Sequence, residues 1–252
     1  MPIAPALPAA TLLLVRDGLG GVEVLLVRRH AKSGFAAGAL VFPGGKVDAA
    51  DAALARYGRA ADLPLFRAAA IRETWEEAGI FLAGHAGGEG LLDHEELRRL
   101  RGAYLDPLTD LATILAQEAL ELATDRLARF AHWITPEAEP RRFDTQFFIA
   151  AAPAGQEAIH DGRETLECFW LSPRGAIAEA DAGRALLMFP TRLNLMKLAR
   201  ARSAAEALER AGREPVVTVQ PVMTIESGER IVRIAGDSGY ELTEMRLRPL
   251  QR

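Results

Sequence analysis

The run Arg72-Glu73-Thr74-Trp75-Glu76-Glu77-Ala78-Gly79-Ile80 constrains this chain more than any other stretch. Laid out at about 100° per residue, it continues an amphipathic helix. Pro64, Ala68, Ile71, Trp75 and Ala78 fall on one narrow apolar stripe. Glu73, Glu76 and Glu77 fall on the opposite side, with Arg72 on its flank. Asp62 and Pro64 supply a start signal and Gly79 a stop signal. Three carboxylates within one turn repel each other by a few tenths of a kcal/mol per pair, about 0.2–0.5. They also sit toward the helix C-terminus, where the macrodipole disfavours anions. A solvated acidic face is the ordinary explanation of such a run. The turn upstream, Phe42-Pro43-Gly44-Gly45-Lys46-Val47-Asp48, argues instead for a built site, because adjacent glycines let backbone approach another group closely.

Taken together, the two segments resemble the Nudix box, G-x5-E-x7-R-E-U-x-E-E-x-G-U with U a bulky apolar residue. Arg72, Glu73, Glu76, Glu77, Gly79 and Ile80 match its second half position for position, with Trp75 as an apolar variant. Two departures stand out. The distance from Gly45 to Arg72 exceeds the usual spacing by an insertion at about 49–63. The Glu of the first half is replaced by Asp51, with Asp48 close by, which leaves open the upstream carboxylate that assists.

Before the box, 11–16 and 22–29 are apolar, branched runs separated by Asp17-Gly18-Leu19-Gly20-Gly21, a hairpin signature. Arg28, Arg29, His30 and Lys32 follow, and a short strand is expected at 39–42. The basic residues read as a solubilising strand end or as a grip for substrate phosphates, Arg offering a planar bidentate fork. After the box, 80–83 reads as a short strand and 84–90 as a loop. Residues 93–101 and 108–126 carry helical periodicity, with Leu111, Ile114, Leu115, Ala119 and Leu122 as the buried stripe. Strands are expected at 130–135, at 141–150 with Arg141 and Arg142 at its mouth, and at 166–171. Ser172-Pro173 starts one helix, and Phe189-Pro190-Thr191 starts another running to about Ala211. The tail reads as strands at 216–220, 222–226 and 230–234, with Glu226-Ser227-Gly228-Glu229 as a hairpin turn.

Several further segments resemble one branch of the superfamily, the interrupted-box coenzyme A diphosphatases of peroxisomes (nudix motif 19 type) and their bacterial relatives. They are Gly34-Phe35 with Gly38, His132-Trp133-Ile134-Thr135-Pro136, Arg141-Arg142-Phe143-Asp144-Thr145 with Phe147-Phe148, and Glu164, Glu167, Trp170, Ser172 and Pro173. The resemblance implies an α/β fold: the Nudix α/β/α sandwich with a mixed β-sheet and a loop-helix-loop motif. Around it we expect one domain over 1–252, with the box at 44–80, a helical insertion at about 91–128 and a C-terminal hairpin extension at about 213–252. It implies Mg²⁺ or Mn²⁺ held by Glu73, Glu76 and Glu77, by the Gly45 carbonyl, and by Glu164 from a loop outside the box, with Glu167 as its competitor. Oxygen donors of this kind suit a hard divalent cation. Arg72, Glu73 and Glu76 are the catalytic candidates; Arg28, Arg29, Arg141 and Arg142 are the substrate-binding ones. The implied reaction is hydrolysis of the diphosphate of coenzyme A or acyl-CoA to adenosine 3′,5′-bisphosphate and (acyl-)4′-phosphopantetheine. Pyrophosphatases of ADP-ribose, NADH or dinucleoside polyphosphates are the first alternative. A non-catalytic Nudix-like ligand-binding module is the second; it is disfavoured because Glu73, Glu76 and Glu77 are kept.

The whole chain bounds the rest. Its 252 residues can bury a sizeable core, and 34 acidic against 30 basic residues exclude a nucleic-acid-coating surface. No apolar run approaches the roughly 20 residues of a membrane span. The single cysteine, Cys168, reads as a core thiol in a reducing compartment. With neither a basic leader nor a peroxisomal tripeptide in view, the cytoplasm is expected. The partner is a small nucleotide substrate, and the tail hairpin can either lengthen a sheet or pair two chains into a homodimer.

Overall fold

The computed structural model describes residues 3–30, 38–104, 110–160, 162 and 165–247. The predicted hairpin is present: β1 (Ala6–Gly18) and β2 (Gly21–Arg29) pair antiparallel from Val15↔Val24 to Gly18↔Gly21. Next come β3 (Ala39–Val41), β4 (Gly44–Lys46), a short α1 (Asp51–Leu54) and the acidic helix α2 (Pro64–Ala78). β5 (Ala83–His85), α3 (His94–Tyr104), α4 (Leu111–Gln117) and β6 (Leu120–Leu122) lead to β7 (Ala128–Ile134) and β8 (Arg142–Ala151). After β9 (Thr165–Leu171) come α5 (Pro173–Asp181), β10 (Leu186–Leu187), α6 (Phe189–Leu198) and α7 (Ala204–Arg213). β11 (Thr218–Val219), β12 (Val222–Glu226), β13 (Glu229–Arg233) and β14 (Glu244–Leu247) close the chain.

The main sheet is mixed, in the order β10-β3-β2-β1-β8-β7-β11, with β4 also on β1 and β9 also on β2. β1 pairs parallel with the whole of β8, Ala6↔Arg142 to Val15↔Ala151. Strand alternation divides the core into two layers. Ala10, Leu12 and Leu14 of β1 pack with Ala68, Ile71, Trp75 and Ala78 of α2. Leu13 and Val15 pack with Leu193, Leu195 and Leu198 of α6 and Ala204, Ala207 and Ala211 of α7. Each fully buried leucine here contributes about 1.5–3 kcal/mol relative to an exposed one.

Several expectations are corrected. Among the described residues the helical periodicity over 108–126 yields α4 and a single 3-10 turn, Thr124–Arg126; Ala119 takes φ +50 and the chain turns extended, pairing β6 with β5. Ala119 is exposed rather than part of a buried stripe, so the segment at 91–128 is helical only in part. Ile80, Phe81 and Leu82 are buried ahead of β5 rather than in a strand: Leu82 O accepts from Ala123 N at 2.9 Å, and the Gln156 side chain holds the Phe81 backbone. Its Oε1 accepts from Phe81 N at 3.0 Å, and its Nε2 donates to Phe81 O at 3.1 Å and Leu92 O at 2.9 Å. The long helix expected to Ala211 is two helices. Ser203 caps α7 by accepting from Glu206 N at 3.1 Å, and Glu206 Oε2 accepts from Arg202 N at 3.0 Å. The tail hairpin is as expected, with Ser227 and Gly228 both at positive φ in a two-residue turn. It forms a separate three-stranded sheet with β14.

α2 itself departs from its helical wheel. Asp62 does not cap it. The residue before Pro64 is Leu63 in a left-handed conformation, and the Asp62 carboxylate grips Arg67 with two bonds of 2.9 and 2.8 Å. Pro64 is exposed, and burial spreads well beyond the narrow stripe to Arg67, Ala69, Ala70, Thr74 and Glu77. The stop is as read: Gly79 takes φ +67 and donates to Trp75 O at 3.0 Å.

Candidate active site

β4 brings the diglycine against β1, Ala10 opposite Gly45 and Thr11 opposite Gly44. A side chain on Gly44 would meet backbone, and one on Gly45 would have to displace the Glu73 carboxylate. A Cβ on Gly44 would lie 2.4 Å from Ala10 O, and one on Gly45 would lie 2.4 Å from Glu73 Oε1. The turn is therefore glycine because β1 and the first box carboxylate occupy the space. Gly44 N donates to Glu77 Oε2 at 3.0 Å, so two of the three carboxylates of α2 meet the turn directly.

Arg72 ties the remaining pieces together. Nε and Nη2 donate to the two oxygens of Asp51 at 2.7 and 3.0 Å, and Nη2 also donates to Lys46 O at 3.0 Å. Nη1 donates to Glu73 Oε1 at 3.0 Å and Glu76 Oε2 at 2.8 Å. Asp51 is fully buried at the start of α1 and also accepts from Asp48 N at 2.7 Å. Asp48 instead shapes the turn, accepting from Ala50 N at 3.0 Å. Of the two upstream carboxylates, Asp51 is thus the one joined to the acidic helix, and its work is to hold Arg72. Burial works against the guanidinium charge, but the hydrogen-bonded Asp51 and the charges of Glu73 and Glu76 together outweigh it and hold the Arg72 pKa above its ordinary value.

Glu73 and Glu76 keep 14 % and 32 % of their side-chain surface exposed, whereas Glu77 keeps 4 % of its residue surface. The acidic face is therefore not a solvated one. Among the described residues no three His, Cys, Asp or Glu side chains converge as a ready ligand cluster. Arg72 Nη1 bridges Glu73 and Glu76, and Glu77 faces Gly44 N. In donor chemistry the set still fits a hard divalent cation: carboxylate oxygens beside a Gly45 backbone left open by the lack of a side chain.

The outer candidates separate. Thr165, fully buried at the start of β9, donates Oγ1 to Glu77 O at 2.8 Å and pins β9 to the end of α2. Glu164, the residue before it, lies outside the described residues, as do Lys32, Gly34 and Phe35. Glu167 pairs with Arg28 at 2.7 Å, and Arg28 sits over Phe169, which packs in the α6–α7 layer. Arg28 and Glu167 thus occupy the sheet face away from α2. Arg29 stands opposite Thr165, across a strand irregularity, and its Nε is buried without a hydrogen-bond partner. Arg142 is not placed to take substrate. It is 8 % exposed and clamps strand ends, donating to Thr135 O at 3.1 Å and Ala4 O at 2.8 Å. Arg141 is exposed and lies over Phe143.

Two further groups lie outside the expected site residues. One is Thr165, which carries no spacing signal. The other is the chain Thr218–His132–Asp144, with Nδ1 of His132 2.7 Å from Thr218 Oγ1 and Nε2 2.5 Å from Asp144 Oδ1. His132 shares a transverse row of the sheet with Gly45, through Ala10 and Gln146. Its sequence signal is the His132–Pro136 segment.

Residues 59–198, more than half of the chain, match the family model described as the NUDT19 Nudix domain. The chain belongs to the Nudix hydrolase family. Within it, the chain is 28 % identical over 210 residues to the Caenorhabditis elegans protein named nudix hydrolase 7, covering 83 % of this chain and 66 % of that one. It is 26 % identical over 206 residues to the acyl-coenzyme A diphosphatase NUDT19 of Xenopus laevis, covering 62 % and 54 %. The chain thus spans roughly half to two thirds of the length of these curated relatives. A crystal structure of a NUDIX hydrolase from Alicyclobacillus acidocaldarius superposes with a TM-score of 0.72 at 28 % identity, covering 85 % of this chain and all of that one. This Nudix hydrolase therefore has the expected fold, a mixed sheet between helical layers. Nudix hydrolases generally use divalent metals and act on small nucleotide derivatives. No helix among the described residues is long and apolar enough to cross a membrane.

Proposed function

We propose that this Nudix hydrolase cleaves the diphosphate of coenzyme A or an acyl-CoA, releasing adenosine 3′,5′-bisphosphate and (acyl-)4′-phosphopantetheine. The observation that carries the hydrolytic part is the packing of Glu73 against the open backbone of Gly45, with Arg72 fastened behind it by Asp51. The substrate class is supported by the NUDT19 family match and by the acyl-coenzyme A diphosphatase relatives. Divalent Mg²⁺ or Mn²⁺, held by Glu73, Glu76, Glu77 and the Gly45 carbonyl, would neutralise phosphate charge and acidify bound water.

The chain's own groups do the rest. Arg72 balances two box carboxylates and fixes their rotamers, so their oxygens are preorganised toward the diphosphate. Glu76, the more exposed of this pair, is the reading's candidate to take a proton from the attacking water. Arg29, with its buried and unpartnered Nε, is the favoured arginine for a phosphate oxygen. The C-terminal sheet is read as an extension of one domain spanning the chain.

The test is a panel of CoA, acetyl-CoA, a long-chain acyl-CoA, ADP-ribose and NADH with Mg²⁺, products read by mass spectrometry. Cleavage of CoA species to adenosine 3′,5′-bisphosphate is expected. Cleavage of ADP-ribose with every CoA species left intact would reject the substrate assignment.

A further inference from the structure

Strand register sets five residues in one row across the main sheet: Gly45, Ala10, Gln146, His132 and Thr218. Residues paired in register share a face of the sheet. Here it is the face under α2: Ala10 packs in the α2 layer, as does Phe148 two residues beyond Gln146, whereas Trp133 beside His132 packs in the other. Glu73 stands on this face too, because its carboxylate fills the place of a Gly45 Cβ. Neighbouring strands lie about 4.8 Å apart, so along the row Gln146 is about 10 Å from Gly45 and His132 about 14 Å. Polar side chains therefore lead away from the box carboxylates over the reach of one arm of a diphosphate ester.

α2 seals Ala10 completely, but the floor beside it is open. Pro8, the preceding β1 residue on this face, is exposed, and Asp144 stands opposite it with 38 % of its side chain exposed. The strip begins at the end of β4, where Val47 N donates to Pro8 O at 2.9 Å and Arg72 holds Lys46 O. Asp144 is aimed by His132. A carboxylate only accepts, so Nε2 of His132 carries the proton and donates to Asp144 Oδ1 at 2.5 Å, while Nδ1 meets Thr218 Oγ1 at 2.7 Å. With both ring nitrogens engaged, His132 orients its neighbour and does not exchange a proton with substrate. No other described residue hydrogen-bonds the Asp144 carboxylate. None bonds the carboxamide of Gln146 either, although Gln146 is only 7 % exposed. A polar group so enclosed costs free energy that a hydrogen-bonding ligand recovers. Arg142, also on this face of β8, is fastened to the Thr135 and Ala4 carbonyls rather than to Asp144.

We propose that Asp144 and Gln146 determine specificity by binding the pantetheine arm of the substrate, with His132 as the positioning residue of Asp144. This rests on the CoA reading above. A carboxylate with no paired cation accepts from hydroxyl and amide N–H groups and repels phosphate. The pantetheine arm offers one hydroxyl and two amides, whereas the adenosine arm carries the 3′-phosphate. The pantetheine arm leaves the diphosphate beside Gly45, crosses Pro8 and gives a donor to Asp144, and the Gln146 carboxamide pairs with one of its amides.

Steady-state kinetics with CoA, and with dephospho-CoA that lacks the 3′-phosphate, test this beside thermal melts of each variant. Asp144→Ala and Gln146→Ala should each raise KM about tenfold for both substrates, the scale of one hydrogen bond, and leave kcat within about threefold. His132→Ala should raise KM likewise, and His132→Gln, which keeps a donor for Asp144, should recover most of the loss. In the wild-type chain with Mg²⁺, 4′-phosphopantetheine should shift the NMR resonances of 132, 144 and 146, and adenosine 3′,5′-bisphosphate should leave them in place; this titration decides the matter if a variant fails to fold. CoA turnover with KM unchanged in both Asp144→Ala and Gln146→Ala would overturn the assignment and leave the CoA reading standing. Shifts at these residues from the bisphosphate instead of 4′-phosphopantetheine would do the same. A wild-type chain that cleaves no CoA species would overturn the CoA reading itself, and this assignment with it.

Discussion

A Cβ added to Gly45 would stand 2.4 Å from Oε1 of Glu73, closer than any carbon and carboxylate oxygen can approach. The first box carboxylate therefore rests on backbone, and a strand of the main sheet fixes its place. Gly45→Ala should move either β4 or Glu73. We expect turnover to fall by about 100-fold, the scale of losing one positioned charge-stabilising group. Circular dichroism of the variant should stay near wild type, with destabilisation of about 1–3 kcal/mol. Wild-type turnover in Gly45→Ala would show that Glu73 is not held this way.

Asp51 should matter more for stability than its place outside the acidic helix suggests. It is fully buried, and Arg72, with 12 % of its side chain exposed, has its strongest geometry there. Asp51→Ala removes two charge-assisted hydrogen bonds from a largely buried guanidinium that keeps Glu73 and Glu76, a change that costs about 1.5–3 kcal/mol. Urea unfolding measures it; a loss below about 1 kcal/mol would contradict the anchoring role.

Glu76→Gln and Glu77→Gln should separate catalysis from folding. Glutamine at 77 can still accept from Gly44 N, and Glu76 is partly exposed, so melting temperatures should shift little. Turnover should drop by about 100-fold or more in each. Steady-state kinetics beside thermal melts decide it, and a variant retaining more than half its activity would remove that residue from the proposed set.

Acid should loosen the entry to α2. The Arg67 hydrogen bond holds the Asp62 carboxyl below its usual value, while burial opposes this. A depressed folded pKa stabilises above the ordinary carboxylate range, and that stability is lost as pH falls through the folded value. The Asp62 side chain is 59 % exposed, so screening keeps the contribution to at most about 1 kcal/mol. Asp62→Asn should therefore flatten the decline in unfolding free energy below about pH 4. An unchanged slope would assign the acid sensitivity elsewhere.

The box was legible because its chemistry dictates residue types: a side chain at Gly45 would displace the Glu73 carboxylate, and a planar guanidinium reaches Asp51, Glu73 and Glu76 together. The burial of Glu77 was not. A helical wheel assumes one buried side, whereas α2 is covered by the sheet and also by Thr165 at the start of β9. The division of α6 from α7 did carry a signal, Ser203 three residues before Glu206, which the continuing apolar period overrode. The break at Ala119 carried none, since alanine favours the helix that its positive φ ends. Arg142 shows the limit of reading cations by position: tertiary contacts give its donors to two carbonyls.

The central claim is that the carboxylates of α2 serve a divalent cation in breaking a diphosphate. Stripping the protein with a chelator and following CoA cleavage as Mg²⁺ is returned tests it most directly. The account predicts no adenosine 3′,5′-bisphosphate before Mg²⁺ is returned and saturable recovery afterwards. Turnover undiminished in the stripped protein would contradict it.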